Sequence, residues 1–138
     1  MSRWLFKEEP DHYNYADLER EGQTVWDGVA NNQALQHLRK VAKQDQVFCY
    51  HTADEKAIVA VMEVVSDPYP DPKEDDPKLV VVDVKPVRRL ARPVTLAEIK
   101  ADPVFGDWDL VRNSRLSVMP VSAARWKRIE TLSKQSEA

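Results

Sequence analysis

Glycine and cysteine are scarce in this 138-residue chain, with three of the first and one of the second. Gly22, Gly28 and Gly106 stand too far apart for either familiar phosphate-cradling fingerprint, in which close glycines let backbone N–H groups reach a phosphate. Nucleoside-triphosphate chemistry is therefore not expected. Cys49 alone makes no internal disulfide, and with only His12, His37 and His51 beside it no cysteine-rich zinc site can be built. A reducing cytoplasm is the expected compartment, with no metal and no cofactor. Long apolar runs are missing too. The longest, Ala57 to Val65, is nine residues including Glu63, against the ~20 that cross a bilayer. Met1 to Phe6 shows no signal-peptide pattern and runs into Glu8 and Glu9, so neither membrane partner nor export is expected. No serine sits in a nucleophile elbow: Ser114 and Ser117 flank Arg115 and Leu116 without adjacent glycines.

What is present is ordinary for one folded domain: 43% apolar and 31% charged residues, enough for a core without disulfide or metal staples. Residues 1–132 are expected to form that domain, and 133–138 a frayed tail. The net charge of −3 hides an asymmetry. Residues 1–30 carry three basic and seven acidic groups, residues 67–83 two and six, and residues 84–138 eleven and six. The overall balance argues against tight non-specific nucleic-acid binding, while the basic third can still offer a phosphate-facing patch or merely a solvated surface.

Strand patterns cover Arg3–Phe6, Val47–His51, Ala57–Val65, Leu79–Val87 and Leu116–Val121, with a short sixth at Val25–Trp26. Asn14 and Gly22 bracket a short helix, and Thr95 with Glu98 forms a capping box closed off by Asp102-Pro103. After Asn31, the residues Ala34, Leu35, Leu38, Val41 and Ala42 share one helical face. Ser122 caps a last helix with the stripe Trp126, Ile129, Leu132. Asp67 to Pro77, with four prolines and five acids, is a loop between strands. Strands mostly too close for βαβ crossovers, with helices between them, predict an α+β fold: a small mixed β-barrel of five to six strands flanked by short helices.

Polar groups cluster beside aromatics at the segment ends. They are Lys7, Glu8, Glu9 and Pro10, then Trp26-Asp27-Gly28, then Asn31, Asn32 and Gln33, then Tyr50, His51 and Thr52. A planar heterocycle needs an aromatic wall and amide or backbone partners for its edge, which these residue types supply. Plainer readings stand beside that one. Trp26 serves equally as a core aromatic, Asn31 as an N-cap, His51 as a hydrogen-bonded strand end, and Lys7 with Glu9 as a surface ion pair.

Seven strings in order carry a resemblance. Trp4-Leu5-Phe6-Lys7-Glu8-Glu9-Pro10 with Tyr13, Trp26-Asp27-Gly28-Val29 with Asn32-Gln33-Ala34, and Phe48-Cys49-Tyr50-His51-Thr52 are followed by Tyr69-Pro70-Asp71-Pro72, Val82-Asp83-Val84, Arg92-Pro93-Val94-Thr95-Leu96, and Arg115-Leu116-Ser117-Val118 with Pro120-Val121. Together they resemble the EVE domain over nearly the whole chain. The resemblance implies a PUA-like fold, kinship with YTH and ASCH domains, and a pocket for a modified base, proposed in that family to be a modified cytosine. It places Trp26 as a pocket wall, Lys7 to Pro10 as the floor and Asn31 to Gln33 as the helix-start edge. Tyr50 and His51 become the opposite rim, and Arg115, Leu116 and Ser117 match the closing motif. From their places in the chain, Thr52 is expected beside that rim, and Arg112 and Arg115, in the basic third just before a motif strand, near the pocket mouth as phosphate contacts. Glu8 stands where many members carry Ser, and a carboxylate only accepts hydrogen bonds where a hydroxyl also donates.

The expected function is thus a non-enzymatic reader of a modified base, with DNA or RNA as partner. Two alternatives belong to other classes: a small hydrolase of modified nucleosides using Lys7, Glu9 and His51, or a protein-interaction module with a vestigial pocket.

Overall fold

A computed structural model describes residues 1–135. Its sheet is built from β1 (Arg3–Glu8), β2 (Thr24–Trp26), β3 (Gln46–His51), β4 (Ala57–Val64), β5 (Tyr69–Pro70), β6 (Val80–Thr95) and β7 (Val118–Pro120). The strand order is β2-β6-β4-β3-β1-β7, with β5 paired to β6 beside that path. Among the described residues only β1 and β3 run parallel; every other pairing is antiparallel. Register shifts at Cys49/Tyr50 in β3 and at Ile58/Ala60 and Val61/Met62 in β4 bend the sheet, since an extra residue on one strand raises its local twist. The result is the curled half-barrel of a PUA-like fold. The five to six expected strands become seven, because the proline-rich loop contributes the two-residue β5.

The helices start and stop where their caps dictate. In α1 (Tyr15–Glu21) Asn14 and Asp17 form a reciprocal capping box, and Gly22 ends it in the left-handed conformation. α3 (Leu96–Ala101) opens on the Thr95–Glu98 box. α2 (Asn32–Leu38) stops short of Val41 and Ala42, although Val41 remains buried. The reason is Asp45, whose buried carboxylate takes the Ala42 N–H at 2.9 Å together with Ser2 N–H and Trp4 Nε1–H. That carboxylate competes for the donor which another turn of helix needs.

A 3-10 turn (Pro103–Phe105) and α4 (Asp109–Arg112) fill a stretch without strong periodicity. α5 (Ala123–Lys134) lays Trp126 flat on Phe48 of β3, the ring centroids 3.6 Å apart and 15° from parallel. It also carries Ser133 and Lys134, expected in the frayed tail, as helix with Ser133 buried. Residues 136–138, the rest of that tail, lie outside the described residues. No described helix is long and apolar enough to cross a membrane.

Cys49 sits in the core as the sequence suggests, and burial pushes its thiol up to about 12. An uncharged thiol at that depth is inert.

Candidate nucleic-acid interface

Because β1 and β3 are parallel, their last residues, Glu8 and His51, are neighbours at one edge. The chain leaves both strands on that side, and Thr52 N–H ties the two exits by donating to Glu8 C=O at 3.0 Å. β2 ends nearby at Trp26, where Gly28 at φ 80° turns the chain through a conformation that disfavours any residue with a Cβ. On the opposite flank β7 pairs with β1, and the segment before it is held by Lys7. Its N–H donates to Ser117 C=O at 2.9 Å and its Nζ to Ser114 C=O at 3.2 Å.

These contacts enclose an open cleft of about 410 Å³. Lys7, Glu8, Glu9 and His12 line one side, Trp26 to Val29 the second, and Thr52, Ser114, Arg115 and Ser117 the third. A smaller cavity of about 220 Å³ adjoins it and shares Glu8, His12, Trp26 and Asp27. Burial lowers the Lys7 ammonium from its ordinary value. Burial also raises the Glu8 carboxyl; the Glu9 N–H bond and His12 oppose this, and the charges of Asp27 and Glu9 add to it. Arg115 is exposed at the rim and has no hydrogen bond or ion pair among the described residues.

Of the residues singled out from sequence, Lys7, Glu8, Glu9, Trp26, Thr52, Ser117 and Arg115 therefore meet in one cleft. Trp26 is nonetheless a core residue, 4% exposed and 5.6 Å from Phe6 in a tilted ring pair. It borders the space without presenting a broad face to it. The remaining candidates lie elsewhere. Pro10 is in the turn after β1 and does not line the cleft. Tyr50 is buried, with Lys7 Nζ 5.7 Å from its ring centre. Leu116 is 1% exposed, a core residue between exposed Arg115 and half-buried Ser117.

His51 faces another depression, with Glu55 and Arg89. Its Nε2 accepts the Tyr15 N–H at 3.2 Å and its Nδ1 lies 2.9 Å from Glu55, so both nitrogens are occupied. The acid and base of the hydrolase alternative are thus not gathered in one place. Asn31 caps α2 by accepting the Ala34 N–H at 3.0 Å, and Asn32 and Gln33 are exposed on its first turn. Gln33 reaches toward Asn113 at 3.5 Å, outside the cleft lining. Arg112 is exposed at the end of α4, also outside the lining. No described group of three His, Cys, Asp or Glu side chains is placed to hold a metal ion.

His12, Val29 and Ser114 line the cleft without being assigned to it from sequence. The turn that carries His12, in which its N–H and that of Tyr13 both donate to Glu9 C=O at 3.0 Å, has no distinctive residue pattern. A sequence model of the EVE domain matches residues 2–132. The chain belongs to the EVE domain family.

Among its EVE relatives, thymocyte nuclear protein 1 of Rattus norvegicus is 32% identical over 163 aligned positions, covering 94% of this chain and 72% of that protein. A protein of Rhodopseudomonas palustris solved by NMR superposes with a TM-score of 0.92 at 36% identity, covering 100% of this chain and 97% of that one. The human THYN1 protein, solved in complex with DNA containing 5-methylcytosine, superposes with a TM-score of 0.90 at 30% identity, covering 99% and 100%.

Proposed function

We propose that this EVE domain reads nucleic acid by taking one modified nucleobase, a modified cytosine, into the cleft beside Trp26. The observation that carries this reading is the likeness, over the whole chain, to a protein solved with DNA containing 5-methylcytosine. The cleft supports it. Its volume falls in the range of about 300–1,000 Å³ that holds small ligands, and hydrogen-bonding groups from three separate segments converge on it. Extruding a base costs a few kcal/mol, which contacts to its edge and faces must offset. With Arg112 and Arg115 as the nearby phosphate contacts, few counterions are released, so unmodified duplex binds weakly and with a shallow salt dependence.

The test is a titration, at two salt concentrations, of oligonucleotides that differ only by one 5-methylcytosine, with the free nucleoside as competitor. We expect micromolar or weaker affinity, about −8 kcal/mol or less favourable, preference for the modified strand, competition by the nucleoside and no turnover of it. Tight, steeply salt-dependent binding of unmodified DNA that the nucleoside does not displace would identify an electrostatic binder and sink the reading.

A further inference from the structure

We propose that Glu8 sets the chemical class of base the cleft accepts: an amino-bearing edge such as that of 5-methylcytosine is taken, and the keto edge of thymine is refused. This rests on the reading of the cleft as a base-binding site. The two bases suit the question because both are pyrimidines with a methyl group at C5. On the edge they differ at C4, where cytosine offers an exocyclic N–H donor and thymine a carbonyl acceptor, and in the proton at N3, which thymine carries and cytosine lacks; the position set against Glu8 is C4.

Glu8 is placed to sense that difference. It closes β1, its backbone C=O is fixed by Thr52 N–H at 3.0 Å, and its side chain lines both the main cleft and the adjoining cavity. One carboxylate oxygen, Oε1, accepts the Glu9 N–H at 2.9 Å. Oε2 has no hydrogen-bond donor among the described residues, and Glu8 forms no ion pair with them. The nearest cation in sequence, Lys7, instead donates to Ser114 C=O at 3.2 Å.

A half-buried carboxylate with one oxygen open and no cation on it is an acceptor awaiting a donor. A single exocyclic N–H satisfies it. A carbonyl at the same position sets acceptor against acceptor and leaves both desolvated, an arrangement that is costly in a water-poor site. The charges around it favour the same choice. The charges of Asp27 and Glu9 act on Glu8 with that of His12 opposing them, and the two carboxylates draw a donor edge and repel a carbonyl. Asp27 itself lies 3.9 Å from Lys73, so its charge is partly met from the loop before β6, and Glu8 is the more exclusively ligand-facing of the two.

The experiment compares single-stranded oligonucleotides, which avoid the cost of extrusion, carrying 5-methylcytosine, thymine or unmodified cytosine at one central position. They are titrated into the intact protein and into Glu8→Gln and Asp27→Asn. The wild-type chain should prefer 5-methylcytosine about tenfold or more. Glu8→Gln, whose amide both donates and accepts, should reduce that preference to about threefold or less. Asp27→Asn, which removes a neighbouring charge already shared with Lys73, should reduce it less than Glu8→Gln does. Melting curves establish that each variant is folded, and the near-isosteric Gln keeps the Glu8 site filled.

Equal binding of the two bases by the wild type overturns the proposal while leaving base reading in place, provided both are bound better than unmodified cytosine. A preference that survives Glu8→Gln, or one abolished by Asp27→Asn instead, overturns the assignment to Glu8. Absence of binding to either base removes the base-binding reading and this proposal with it.

Discussion

The arginines of the C-terminal third fall into two sets that the sequence does not distinguish. Arg88, Arg89, Arg92, Arg125 and Arg128 each meet a carboxylate: Glu130, Glu19, Glu98, Asp107 and Asp102 respectively. Arg112 and Arg115 meet none among the described residues; Arg115 lines the cleft, and Arg112 stands just before that segment, at the end of α4. The excess of basic over acidic residues after position 84 is therefore a poor guide to where an anion is attracted. Pairing within the molecule cancels most of the far field of the first set, which leaves Arg112 and Arg115 as the arginines of this third placed to meet an outside anion.

The two arginines without a carboxylate partner carry the largest expected effect. Replacing Arg112 and Arg115 together by Ala should weaken binding of a 5-methylcytosine oligonucleotide about tenfold at low salt and flatten the slope of log affinity against log salt by about 1 to 2. The melting temperature should not move. An unchanged salt slope would remove both arginines from the interface.

The best-anchored of the paired set should behave in the opposite way. Arg92 forms a two-pronged contact with Glu98, at 2.8 Å for each prong, and Glu98 also caps α3. The Arg92 hydrogen bonds, followed by that from the Thr95 N–H, hold the Glu98 carboxyl down at about 2 against an ordinary 4.5. A depressed carboxyl stabilises the fold above its unfolded pKa, and that contribution is lost as pH falls through its folded one. Glu98→Gln should thus cost about 1 kcal/mol at neutral pH. Between pH 5 and pH 2 the variant should lose less stability than the wild type, while base binding stays unchanged. Denaturant melts across that window decide the point; parallel curves would show that Glu98 is not coupled to the fold in this way.

The smallest effect is expected at Arg88, whose pair with Glu130 is half exposed on the arginine side. Arg88→Ala should shift stability by no more than about 0.5 kcal/mol and leave binding untouched. A larger loss would mean that β6 and α5 depend on that bridge.

Legibility in the sequence followed how local each signal is. The caps at Asn14, Thr95 and Ser122 were readable because a cap is made within four residues of itself. β3 and β4 were readable because both are buried nearly throughout. The second half of β6 was not: Val87, Arg88 and Arg89 are exposed in succession, so the strand is held by its hydrogen bonds to β4 and not by an alternating face. The cleft was half legible for a related reason. Lys7, Glu8 and Trp26 sit at strand ends, and strand ends are visible; Asn31 to Gln33 also start an element, but theirs points to a different part of the surface. Tyr50 and His51 illustrate the same limit. One residue decides whether a strand-end side chain faces the opening or the core, and a register shift beside Tyr50 is invisible before pairing is known.

The parallel pairing of β1 and β3 has a kinetic corollary. β1 lies between β3 and β7, with Arg3 opposite Gln46 on one side and Leu5 opposite Met119 on the other. Neither partner is a neighbour in sequence, so the first strand gains nothing from a hairpin and must wait for two long loops to close. Chains dominated by such distant pairings fold slowly. The cleft, whose third side is the segment leading into β7, comes together only when the last of those closures is made. A nascent chain halted before residue 118 would carry Lys7, Glu8 and Trp26 and still have no site, which makes ligand binding a reporter of complete folding as well as of recognition.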